Sequence, residues 1–368
     1  MSQMRIFYKI QIKVKEEINV TKKYSLCYDV LTIIACLMVV FFHCNGVVYN
    51  YSDSLSWKIG IIERCVVYSA VPIFFMLTGA KLLNYRERYS TKEYVKKRLV
   101  RIGIPFLFWN LFYVVYGMFM PNGVSFNSAK DFISKFINSS FQGRYWFFWP
   151  LFMVYLAIPV ISLVLQANNH RKYLWYMVYI TFALRWVAMP VMKIIGIEYN
   201  SYMVIPTCAG YMIYVLFGYL ISTEKWSRIK RITLYILALG SGVFAAFYTI
   251  NRSGELGDDM LGLLSYDYFP SGLTGAAIFV FVKHLFDNSP KLSSPAKDSK
   301  VVAFIRTVSG ACMGVWLTHS LGILFVEYFF NLGINSYIFR FVYPPIVFVL
   351  CIAGVLIVKK IPLLKHIV

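Results

Sequence analysis

The sequence predicts an all-α integral membrane protein of about ten transmembrane helices in one bundle, with both chain ends in the cytoplasm. Three observations carry that prediction. Of the 368 residues 59% are hydrophobic and only 15% are charged, too little charge for a soluble domain of this size. The apolar residues come in runs of about twenty, the length a helix needs to cross hydrocarbon. The net charge of +20 is confined to short segments between alternate runs. That asymmetry orients helices in a bilayer, whereas a nucleic-acid binder gathers its Lys and Arg on one soluble face, so no nucleic-acid partner is expected.

Taken in order, residues 1–24 form a basic cytoplasmic tail with six Lys/Arg and two Glu. The first span, LCYDVLTIIACLMVVFFHCNGVV at 26–48, is too long for a signal-peptide core and lacks a small-residue cleavage site, so it is read as retained. A second span at about 62–83 contains Pro72 and Gly79, which permit a kink. The segment NYRERYSTKEYVKKRLVR at 84–101 carries seven Lys/Arg and reads as a cytoplasmic loop. Further spans are expected at about 102–120, 146–166, 173–192, 203–221, 232–250, 269–286, 308–330 and 338–358, followed by a short cytoplasmic tail at 359–368. Ten spans put every second connection on one side. The six segments on that side hold 27 Lys and Arg against seven on the other, which places both chain ends inside. The longest connection, 121–145, leaves no room for a soluble domain, and residues 25–358 read as one membrane domain without an internal repeat. Seven cysteines lie in or beside the apolar runs with no CxxC pair. They indicate neither a disulfide framework nor a thiolate metal site, and read as small apolar residues.

The first span carries an acid, Asp29, near one end and His43 near the other. The fourteen-residue step between them closes to within roughly 40° of one helical face and climbs roughly 21 Å. Thr32 and Cys36 fall on the same side. That face must look into protein or water, because ionisable groups in hydrocarbon are costly. His43 lies in the half of the bilayer away from the basic loops. His319, in the middle of the ninth span, is open to two readings, a functional group or a hydrogen bond between helices, since Gly310 and Gly314 beside it favour close packing. Arg185 in the fifth span must face an acid or a cavity, so structural pairing and contact with a sugar or anion are both open. Glu63 and Arg64 open the second span as a solvated pair, with Glu63 also a candidate for contact with an acceptor. Tyr145, Trp146 and Trp149 form either an interfacial aromatic belt or a stacking platform for sugar rings. Lys97, Arg98 and Arg101 satisfy the charge rule. Arg98 and Arg101, three apart, also suit forked contacts with phosphate.

Together these residues resemble the membrane-bound acyltransferase 3 family, whose members O-acylate surface polysaccharides. The likeness rests on YDVLTIIACLMVVFFH (28–43), VPIFFMLTGAKLL (71–83) and KKRLVRIGIPFLFW (96–109), with weaker echoes in YWFFWPLFMVYLAIP, GYMIYVLFGYL (210–220) and GVWLTHSLG (314–322). The resemblance implies transfer of an acyl group from cytoplasmic acetyl-CoA, or another acyl-CoA, to a hydroxyl of a polysaccharide or lipid-linked glycan on the outer side. It also implies no permanently bound cofactor, a membrane-lipid surround, and a place in the bacterial cytoplasmic (inner) membrane. His43 would be the general base, with His319 a second catalytic candidate. Asp29 is too far from His43 to touch it and is assigned to inner-side structure or donor binding. One departure stands out: the family carries Arg eleven residues before the His, and here that position is Thr32. Another cation must do that work, with Arg101 and Arg185 the available ones. The alternative function is a transporter or flippase of a small anion or lipid-linked sugar, with His43, Arg185 and His319 as a relay.

Overall fold

The computed structural model describes residues 25–120, 124–200, 203, 205, 208–257, 262–293, 299–330, 333, 336–362 and 364–368. The basic tail at 1–24 lies outside them. Ten helices organise the bundle: α1 Ser25–Cys44, α2 Leu55–Glu87, α3 Thr91–Met118, α4 Gly143–Val164, α5 His170–Ile194, α6 Met212–Thr223, α7 Arg228–Leu256, α8 Phe269–Asn288, α9 Lys300–Phe330 and α10 Tyr343–Lys360. All ten fall on expected spans. Nine are long and apolar enough to cross a membrane, and among the described residues there is no strand. Local chemistry marks the ends. Ser54, Ser90 and Ser227 each accept a backbone N–H three residues on, at 3.2–3.3 Å, capping α2, α3 and α7. Gly257, at φ 63°, stops α7 with the left-handed turn glycine tolerates best.

The exception is α6. Its twelve residues cover about 18 Å, well short of the ~30 Å hydrocarbon core. The helix was expected to begin near 203, but Gly210 sits at φ 58° and breaks the helical path just before Met212. A short helix is tolerated because Met212–Ser222 is buried throughout, packed against α2, α5 and α8 rather than lipid.

The α2–α6 pair forms the centre of the bundle, and glycine sets its spacing. A Cβ on Gly79 would lie 1.8 Å from the Val215 carbonyl oxygen, and one on Gly218 would lie 2.1 Å from the Met76 carbonyl oxygen. Gly79 therefore serves close approach and not the kink expected of it. The break in α2 falls instead at Tyr68 and Ser69, where the Ser69 hydroxyl donates to the Val66 carbonyl at 2.7 Å. Pro72 then lies in the first turn of the helix Ala70–Leu82, where no intrahelical N–H bond is lost. The expected small-residue pair on α9 also divides. Gly314 packs closely on α10, where an added Cβ would clash with Val355 at 2.5 Å, whereas a Cβ on Gly310 would meet nothing within 4 Å.

Helices α1 and α9 run in the same direction and meet along α1's polar stripe. Asp29, Cys36 and His43, seven apart, face Ser309, Cys312 and His319, the spacing of a left-handed packed pair. Beyond α10 the chain turns back, and the Trp109 indole N–H donates to the Ile367 carbonyl at 2.8 Å. The long connection holds one short helix, Ala129–Ile137, whose Phe132 and Phe136 pack on Phe141, Phe106 and Trp149.

The charge alternation yields a direct test of orientation. Single cysteines at Ser54 and Asn127, both exposed, are expected to react with an impermeant maleimide on intact cells, and ones at Ser90 and Ser227 only after lysis. The seven native thiols are all buried, so background is low. Labelling of Ser90→Cys on intact cells would reverse the orientation.

Candidate active site

His43 occupies the last turn of α1, half-buried, with Phe42 edge-on at 5.1 Å. The α1–α9 seam brings its ring to 5.0 Å from the ring of His319, the planes 30° apart. His319 is buried to 1% exposure, and its Nδ1 lies 2.6 Å from the Trp316 carbonyl oxygen. A carbonyl only accepts, so Nδ1 carries the hydrogen and the neutral ring keeps its lone pair on Nε2. That Nε2 is buried without a partner among the described residues. A basic nitrogen thus points nowhere but toward its immediate surroundings, where the nearest ring is that of His43.

His43 lines a small cavity of about 20 Å³, walled by Phe42, Trp146, Tyr266 and Trp316 and by the apolar Val39, Val67, Ala70 and Val71. That space admits a group the size of a hydroxyl, and its wall is apolar and aromatic apart from a histidine and a cation. The pocket's cation is Arg144, presented by the 3-10 turn Gly143–Phe147 that opens α4. Arg144 makes no ion pair with a carboxylate of the described residues, and it lies within electrostatic reach of both histidines. In the sequence it read as one of a few loop charges, and nothing in GRYWFFWP distinguished it. Behind Phe42 sits Arg64. Rather than being solvated it is 1% exposed, stacked on Phe42, Tyr49 and Tyr68 at 4.4, 4.5 and 5.3 Å, with its Nη2–H donated to the Tyr49 hydroxyl at 2.6 Å. The aromatic cage takes the place of the expected water.

The other sequence-selected residues are dispersed. Of the three aromatics, only Trp146 reaches the pocket. Tyr145 is buried inside the bundle and donates its O–H to the Leu317 carbonyl at 2.6 Å, while Trp149 donates to Ser139 at 3.1 Å. Arg185 stands in a π-helical stretch, Phe182–Ala188, and pairs with Asp267 at 3.0 Å. Glu63 is half-buried, with both carboxylate oxygens enclosed and without a hydrogen-bond partner among the described residues.

At the basic end, Asp29 Oδ1 accepts from the Ser309 hydroxyl at 2.9 Å, joining α1 to α9. Lys97 pairs with Glu93 at 2.7 Å over the Tyr89 ring. Arg98 lies beside the rings of Tyr94 and Tyr155, at 5.9 and 5.8 Å. Arg101 falls within a π turn, Leu99–Gly103. Arg101 is exposed and Arg98 half-buried, and both lie within electrostatic reach of Tyr155.

Over residues 26–359 the chain matches the family described as an acyltransferase domain. No curated protein and no solved structure matches it.

Proposed function

The chain belongs to the membrane-bound acyltransferase 3 family, and from that premise we propose that it moves an acyl group, acetyl first, from acyl-CoA at the basic end to a sugar hydroxyl in the His43 pocket. The acceptor is a surface polysaccharide or lipid-linked glycan. The observation that carries the reading is the paired imidazoles, His43 lining the pocket and His319 behind it with a buried, unpartnered lone pair.

Each group then has a role. His319, its Nδ1–H held by the Trp316 carbonyl, keeps its unpartnered Nε2 lone pair buried beside the His43 ring, whose centre is 5.0 Å away. His43, lining the cavity, takes the proton of the acceptor hydroxyl on a ring nitrogen. The hydroxyl oxygen attacks the thioester carbonyl, and the resulting oxyanion is stabilised by Arg144 across the pocket. Collapse breaks the carbon–sulfur bond, and the thiolate leaves with the proton His43 had taken. Trp146 supplies the face on which a sugar ring stacks. Asp29, remote from the pocket, fixes the basic end through Ser309.

The test is made on purified protein in nanodiscs with acetyl-CoA labelled in the acetyl group and glycans extracted from bacterial envelopes. Free CoA thiol and acetylated glycan are expected to appear together. Intact acetyl-CoA in the presence of those glycans would overturn the proposal and favour a transporter, which has no reason to break a thioester.

A further inference from the structure

Lys81 of α2 is a cation inside the bundle that the chemistry above leaves unused. Its ammonium donates to the Thr32 hydroxyl oxygen at 3.2 Å, and Thr32 is in turn fixed by donating its own hydrogen to the Tyr28 carbonyl at 2.7 Å. The side chain is half-buried, about 10 Å along α1 from its start. It makes no other hydrogen bond or ion pair to a described residue, although Asp29 lies within electrostatic reach.

Two more cations converge on the same place. Arg101, on its π turn, interacts electrostatically with both Lys81 and Lys359. Lys359 of α10 donates to the Gly310 carbonyl at 2.5 Å, one residue beyond the Ser309 that holds Asp29. Helices α2, α3 and α10 thus bring three cations to the basic end of the α1–α9 seam, where Asp29 already accepts a hydroxyl and lies within electrostatic reach of Lys81. Asp29 balances one of the three charges; Lys81 and Lys359 are half-buried and Arg101 is exposed, so two positive charges stand open to an anion that reaches them from the basic end. An aspartate added by the fold would have cancelled them. Instead the site offers one guanidinium and two ammonium groups, donors that suit the three oxygens and double charge of a phosphate.

We propose that Lys81, Arg101 and Lys359 form a phosphate-binding site at the basic end of α1, with Thr32 as the bracket that holds the Lys81 ammonium in register. On the acyl-transfer reading proposed above, on which this assignment rests, the phosphate belongs to the nucleotide end of acyl-CoA. The cation that α1 lacks at position 32 is then delivered to the same spot by α2.

The experiment measures binding of CoA and of inorganic pyrophosphate to detergent-purified full-length protein by calorimetry. Lys81→Met is expected to weaken binding about tenfold or more, the scale of a lost charge-assisted contact, and Lys81→Arg to keep it. Thr32→Arg combined with Lys81→Met restores a cation at the same position and is expected to recover binding to within a few-fold. Lys359→Gln, at the end of α10, provides an independent loss if Lys81→Met fails to fold. Unchanged binding of CoA and pyrophosphate in folded Lys81→Met or in Lys359→Gln would overturn the site, as would the absence of any binding by the unaltered protein. Lys81-dependent binding of pyrophosphate without binding of CoA would uphold the phosphate site and reject acyl-CoA as the donor.

Discussion

His43→Ala protein is expected to fold and insert normally and to transfer acyl groups about 10²- to 10⁴-fold more slowly, the range a positioned general base contributes. The imidazole lines the pocket and makes no hydrogen bond to a described residue, so its loss leaves no polar group stranded and stability is little affected. His319→Ala differs. It deletes a buried side chain and the Nδ1–H bond to the Trp316 carbonyl, which costs about 1 kcal/mol for the bond and more for the cavity left behind, so its rate is interpretable only beside the yield of folded protein. Arg144→Gln, which removes the oxyanion's partner, is expected to lower kcat by about 10²-fold or more while Arg144→Lys recovers part of it. Rates are read as initial velocities of acetyl transfer at matched amounts of monodisperse protein. Full activity in His43→Ala would refute the mechanism and remove the case for a catalytic pocket.

The stripe on α1 was legible in the sequence because a helix has one period, and Asp29 and His43 come to one face whatever surrounds them. What lay opposite was not legible. Nothing in a string of apolar spans says that α9 runs beside α1, so His43 and His319 could be selected separately but not paired. Cations misled in both directions. Arg64 looked solvated because it follows Glu63 at a helix start, yet the aromatic residues that cage it come partly from Phe42 and Tyr49 on other elements. Lys81 sat unremarked in an apolar block, and Thr32 looked like a missing charge, because each makes sense only once α2 lies against α1. The π turn that carries Arg101, Leu99–Gly103, was likewise not legible, because it needs no distinctive residue. The helix count was more legible, nine of the ten expected spans being long and apolar enough to cross among the described residues, since crossing a bilayer demands length and apolarity from each segment independently.

The largest expected loss of stability comes from the centre of the bundle, at Gly79→Ala. The added carbon would sit 1.8 Å from the Val215 carbonyl oxygen, and Cβ atoms in real structures do not come within 3.0 Å of such a neighbour, so α2 and α6 must part by about 1.2 Å. The obstacle is backbone, which no rotamer change can move aside. Forced separation of packed elements costs about 1–3 kcal/mol and occasionally more, and here it also dislocates Val67, Ala70 and Val71, the part of α2 that walls the His43 pocket. Gly218→Ala opens the same gap from the α6 side, against the Met76 carbonyl at 2.1 Å. The two losses should therefore fall short of additive in the double variant, because one separation relieves both clashes. Gly310→Ala is the control. Its new methyl meets nothing within 4 Å, and exchanging glycine for alanine inside a helix is favourable by up to ~1 kcal/mol. Thermal unfolding of detergent-solubilised protein, followed by loss of the monodisperse peak, is expected to order the variants with Gly310→Ala at or above the parent and both close-contact variants well below it. A Gly79→Ala protein as stable as the parent would mean that α2 and α6 do not touch through their backbones at this point.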